Sequence, residues 1–78
     1  MGMNECELLQ RFGNNLRELL NEAWMSQRDL SEMTGISEST ISYYAKGERA
    51  PSLKNIMRIC YAMDCTYEEL IGRPVYTN

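Results

Sequence analysis

Apolar residues recur at three- and four-residue intervals through most of the chain, separated by short polar stretches that carry cap residues rather than strand-type alternation. Leu9, Phe12, Leu16, Leu19, Leu20 and Ala23 form the first stripe, and Asn4 with Glu7 three positions on has the look of a capping box. A helix is therefore predicted over roughly 5–23. Gly13-Asn14-Asn15 sit inside it and are poor helix formers, the glycine alone costing about 1 kcal/mol, so a later start is left open. Ser26 with Asp29 repeats the capping pattern and opens a second helix of about eight residues through Leu30 and Met33, stopped by Gly35. Ser37 caps a third helix through Ile41, Tyr44 and Ala45, which Lys46-Gly47 close in the order cation, then C-terminal glycine. Pro51-Ser52 opens a fourth, with an apolar stripe of Leu53, Ile56, Ile59, Cys60 and Met63. Thr66 with Glu69 marks a fifth around Leu70 and Ile71, ahead of Gly72-Arg73-Pro74. The expected fold class is all-α, five helices with no strand.

Composition narrows what such a bundle does. Seventy-eight residues hold one small core and leave little room for a large catalytic cleft. No apolar run exceeds five residues, so neither a membrane span nor a signal-peptide core is expected. Histidine is absent, which removes the commonest general base and metal ligand, and no nucleophile and base occur together. We therefore expect no enzyme, no cofactor and no metal. Cys6, Cys60 and Cys65 are odd in number and form no Cys-x-x-Cys pair, which fits a reducing cytoplasm better than a disulfide framework or a zinc site. Cys60 and Cys65 read as small buried hydrophobes and Cys6 as incidental.

The net charge of -3 counts against nucleic acid as a partner, but its distribution does not. Residues 26–58 hold five basic and four acidic residues, whereas 1–25 and 59–78 are each at -2. The basic part coincides with two short helices joined by a tight glycine turn, Ser26 to Thr34 and Ser37 to Lys46, which have the lengths of a helix-turn-helix.

An ordered set of residues carries a resemblance. Ser26-Gln27, Leu30, Gly35-Ile36-Ser37, Thr40-Ile41-Ser42, Tyr44, Lys46-Gly47, Arg49, Pro51-Ser52-Leu53, Ile59, Met63 and Glu69-Leu70 make residues 12–72 similar to the lambda-repressor-like, Cro and xenobiotic-response-element helix-turn-helix family. The resemblance implies a compact five-helix lambda-repressor-like domain over 5–72, with helices 2 and 3 as the helix-turn-helix. Residues 1–4 are then a disordered or expression-derived lead and 73–78 a short tail. It implies a transcriptional regulator, a repressor, binding a palindromic double-stranded DNA operator as a homodimer with the third helix in the major groove. The whole chain is expected to be this one domain, without an effector domain.

The same resemblance implies that Gln27 clamps a phosphate and that Glu38, Ser39 and Tyr43 face base edges. Glu38 serves equally well to complement the dipole of its helix, and Tyr43 stands where relatives often carry a basic or amide side chain. Ser37, Thr40, Ser42 and Lys46 are candidates for the flanking phosphates, and Arg49 and Lys54 extend that rim. Tyr67, Ile71, Val75 and Tyr76 exceed what so small a core needs and are placed at the homodimer interface. Two departures stand out. The arginine late in helix 1 and the glutamate in helix 3 that many relatives pair are Leu20 and Ala45 here, a joint loss that leaves no stranded charge. Trp24 replaces a turning glycine, so a differently shaped helix end and an exposed aromatic patch are expected. The alternative class is a protein-interaction module of the same fold, an antitoxin or antirepressor subunit, which the acidity, Glu38 and Trp24 favour.

Overall fold

A computed structural model describes residues 4–72. Val75 and Tyr76 lie outside the described residues. The elements are α1 (Glu5–Glu22), α2 (Gln27–Thr34), α3 (Glu38–Ala45), α4 (Leu53–Met63) and α5 (Tyr67–Ile71). Each begins where a cap residue was expected: the side chains of Asn4, Ser26, Ser37, Ser52 and Thr66 all accept a hydrogen bond from the backbone N–H three positions on. Such caps contribute about 1 kcal/mol each. At Ser26 and Thr66 the box is reciprocal, with Asp29 and Glu69 accepting from the cap backbone.

Three helices end in the same six-residue closure. Met25 N–H bonds to Leu20 C=O, Glu48 N–H to Tyr43 C=O and Cys65 N–H to Cys60 C=O, and in each case the intervening residue has positive φ. That residue is Gly47 after α3, but Trp24 after α1 and Asp64 after α4, at φ 55° and 50°. The expected change of shape at Trp24 is therefore corrected. The turn is kept, and the tryptophan adopts the glycine conformation because its ring, 95% exposed, meets no obstacle. A side chain at positive φ costs roughly 1–2 kcal/mol, and the freedom glycine regains in the unfolded chain offsets about 0.5–1 kcal/mol of that. Trp24→Gly is expected to raise thermal stability by up to about 1 kcal/mol, read as a melting temperature higher by a few degrees.

The core draws Phe12, Leu16 and Leu20 from α1, Leu30 from α2, Ile36 from the turn, Ile41, Tyr44 and Ala45 from α3, Ile59 from α4 and Leu70 from α5. Leu20 and Ala45, the two positions without the family's ion pair, are both buried in it. α1 packs on α3 and α5, and α2 on α3 and α4. The Gly13-Asn14-Asn15 stretch does not delay α1, because Gly13 and Asn15 have tertiary partners and Asn14 has one within the helix. Gly13 is buried against the end of α3, where a Cβ would lie 2.8 Å from Ala45 O and 2.9 Å from Tyr44 O. Asn14 accepts from Arg17, and Asn15 Nδ2 donates to Leu70 O at 3.1 Å, closing α5.

The stripe on α4 needs one correction. Leu53 is exposed, and with Met57 and Tyr61 it forms a second, outward row at four-residue spacing. At 100° per residue Leu53 lies about 70° from the centre of the Ile56, Ile59, Cys60, Met63 stripe, and Met57 and Tyr61 lie further round. Cys60 and Cys65 are half-buried rather than fully buried, and they occupy the paired positions of the α4 closure. Burial, then the neighbouring Cys60 thiol, pushes the Cys65 thiol up to about 12. A thiol so raised is a packing group rather than a nucleophile.

Candidate nucleic-acid interface

α2, the turn and α3 are built as one rigid piece. Gly35 takes φ 76° and its N–H bonds to Ser31 C=O. Thr34 Oγ1 donates to Leu30 O at 2.7 Å and accepts from Ile36 N–H at 3.2 Å, while Ser31 Oγ donates to Ile36 O. Ile36 is buried beneath the turn. These bonds hold the turn in one conformation, so the relative direction of α2 and α3 is set locally.

α3 is then pinned from its inner side. Tyr44 packs edge-on against Phe12 with ring centroids 5.8 Å apart, and its hydroxyl accepts from Asn55 Nδ2 at 2.9 Å. Arg17 Nη1 donates to Ala45 O and Gln10 Nε2 to Lys46 O, so two α1 side chains satisfy carbonyls that the helix end leaves open. A cation from α1 thus still reaches α3 although the family's ion pair is gone. Sequence reasoning missed Gln10, Arg17 and Asn55 as supports, since nothing in local periodicity marks a long-range partner.

The outer side of α3 carries Ser39, Tyr43 and Lys46, all exposed and spaced for one face, with Glu38 in its first turn. Thr40 and Ser42 flank it half-buried. Ser37 Oγ accepts from Thr40 N–H at 3.2 Å and donates to Thr40 Oγ1 at 2.7 Å, so its hydroxyl is engaged in capping. Beyond α3 the loop brings Arg49 over the Tyr43 ring, 4.5 Å from guanidinium carbon to centroid. Lys54 is exposed in the first turn of α4.

Gln27 is half-buried as the first residue of α2, where first-turn N–H groups lack intrahelical acceptors. The adjoining capping box has a pH signature. Bonds from the Ser26 backbone, then the Ser26 side chain, hold Asp29 below the ordinary carboxylate value. A depressed folded-state value means that its contribution is present above the unfolded value near 4 and is lost as pH falls through the lower, folded one. Asp29→Asn is accordingly expected to lower the melting temperature at pH 7 and to narrow its gap to the parent protein below pH 4. An equal gap at both pH values would show that the carboxylate charge does not act there.

Of the residues assigned to a dimer contact, Tyr67 is exposed on α5, whereas Ile71 packs half-buried against the core and offers little surface. A larger apolar surface lies elsewhere: Leu53, Met57 and Tyr61 on α4, with Met33 at the end of α2. Among the described residues no helix is long and apolar enough to cross a membrane, and no group of three acidic or cysteine residues is arranged to hold a metal ion.

A short helix fixed from beneath and presented outward after a rigid turn is the geometry of a groove reader. The model of the Cro/C1-type helix-turn-helix DNA-binding domain matches residues 15–74. The chain belongs to that family. By family it is a helix-turn-helix DNA-binding domain, and its described residues form an all-α fold of five helices.

This Cro/C1-type domain is 30% identical over 59 residues to the cryptic phage CTXphi transcriptional repressor RstR of Vibrio cholerae, spanning 76% of this chain and about half the length of that repressor. Among solved structures it resembles the restriction-modification controller protein C.AhdI from Aeromonas hydrophila, at TM-score 0.76 and 35% identity over 80% of this chain and 94% of that one. An HTH_3 family transcriptional regulator from Vibrio cholerae shares the fold at TM-score 0.81 and 16% identity, over 86% of this chain and 38% of that one. A hypothetical transcription factor, NHTF, from Neisseria does so at TM-score 0.78 and 20% identity, over 91% of this chain and 82% of that one.

Proposed function

We propose that the protein is a repressor that binds a palindromic operator as a homodimer, each α3 lying in the major groove of one half-site. The observation that carries this reading is the division of α3 into an inner side locked by Phe12, Asn55 and Arg17 and an outer side of Ser39, Tyr43 and Lys46 over which no element of the described residues packs. In that pose Gln27 and the first turn of α2 meet one phosphate, and Lys46, Arg49 and Lys54 line the next ones. Thr40 and Ser42 supply hydroxyls at the flanks, Ser37 serves first as the cap, and Glu38, Ser39 and Tyr43 face base edges. The likeness to a phage repressor supports repression rather than activation. The protein works in the cytoplasm, where its thiols stay reduced.

About three cations per protomer give modest nonspecific attraction, so two linked half-sites supply the affinity that one docking face lacks. Exposed Tyr67 and the tail residues Val75 and Tyr76 remain the proposed contact, with a minor share for Ile71. A second reading, an interaction module that holds a protein partner, is favoured by the outward apolar row on α4 and by Trp24. Titration against random duplex DNA across a salt series separates the two. The DNA reading expects a log–log slope of about -3 per protomer, from about 0.9 per phosphate neutralised. Absence of binding even at low salt would favour the protein partner.

A further inference from the structure

We infer that Arg49 is a positioning residue for base readout: its guanidinium, laid over the Tyr43 ring, sets the direction from which Tyr43 meets the groove. The inference rests on the reading of α3 as the groove-entering helix, and it adds a second role for Arg49 to the phosphate contact proposed above.

The contact is prepared by the backbone. Gly47 takes φ 72° and donates to Tyr44 C=O, and the next amide, that of Glu48, donates at 2.9 Å to the carbonyl of Tyr43 itself. The chain is thereby folded back over the residue whose ring Arg49 then covers at 4.5 Å. A Cβ at Gly47 would stand 3.0 Å from Leu9 O, so α1 bounds the loop from the other side. Ala50 precedes Pro51 and is restricted to extended backbone, which limits the paths the loop has on leaving.

The chemistry follows from the pair. Tyr43 is 40% exposed, and its ring lies under the Arg49 guanidinium. Without that plate the phenol has free choice of rotamer on an open helix face and would order only when DNA arrives. A guanidinium over an aromatic face is attracted by the ring quadrupole and keeps its in-plane N–H donors available. Tyr43 and Arg49 therefore present one hydroxyl and several N–H donors as a single unit.

The test starts from duplexes that the parent protein selects from a random pool. Affinities for the selected duplex and for variants changed at each base pair of one half-site are measured for the parent, Tyr43→Ala, Arg49→Ala, Arg49→Lys and the double alanine variant. Tyr43→Ala identifies the base pair that Tyr43 reads. Positioning predicts that Arg49→Ala loses at least about fivefold of the discrimination at that same base pair, the lower end of what one good side-chain contact supplies. It predicts that Arg49→Lys regains the salt slope but not the discrimination, and that the double variant is no less selective than Tyr43→Ala. In the free protein, the ring-current shift of the Arg49 δ-methylene protons vanishes in Tyr43→Ala. Uniform weakening on all duplexes with base preference intact, or full rescue by lysine, would leave Arg49 as a phosphate contact and overturn the inference alone. A parent protein that enriches no duplex overturns the groove reading and the inference with it.

Discussion

Gly13→Ala is expected to lower the melting temperature by roughly 10 °C, although the same change at an open helix position stabilises by about 1 kcal/mol. The added methyl would meet backbone oxygens of Ala45 and Tyr44 at 2.8 and 2.9 Å and Gly47 N at 3.0 Å, and a backbone does not step aside as a flexible side chain does. Overpacking of this kind costs about 1–3 kcal/mol, here toward the upper end, which leaves a net loss near 2 kcal/mol. The damage extends to function, because the carbonyl pressed upon is the one that Arg17 holds. Separating α1 from the end of α3 tilts the helix whose direction the groove reading depends on. A protein that melts at or above the parent temperature would show that α1 and α3 do not approach so closely.

The second large effect distinguishes reading from holding. Tyr43→Ala is expected to reduce the preference for the selected operator over single-base variants by about 5- to 150-fold, corresponding to about 1–3 kcal/mol for one good base contact. Gln27→Ala is expected to weaken all duplexes alike by several-fold, because a phosphate contact carries no sequence information. Tyr43 is exposed on α3 and Gln27 is the first residue of α2, so neither substitution opens the core. Competition assays with one labelled operator and a panel of unlabelled variants measure both ratios. Equal, sequence-independent losses for the two variants would mean that Tyr43 does not touch bases.

Helix starts were legible because a cap is local: Ser26 with Asp29 and Thr66 with Glu69 declare themselves within four residues. What escaped sequence reading was non-local. Gly13 and Asn15 look like a flaw in α1 until α3 and α5 are placed beside them. Leu53 matches an apolar stripe by spacing, yet the outward row on α4 appears only when the direction of the core is known. Trp24 shows the same limit in reverse, since the expected turn residue is missing and the turn persists. At the site, the resemblance marked Tyr43 and Arg49 separately, and the loop that stacks one on the other emerges from the positive φ of Gly47 and a hydrogen bond of Glu48.

Whether the outer side of α3 enters the groove is decided by backbone amide shifts followed by NMR during titration with the selected duplex. The largest changes are expected at Gln27 and from Ser37 to Arg49, with α5 and the Leu53, Met57, Tyr61 row little affected by DNA itself. Changes concentrated on that α4 row, with Ser39, Tyr43 and Lys46 unmoved, would contradict groove entry.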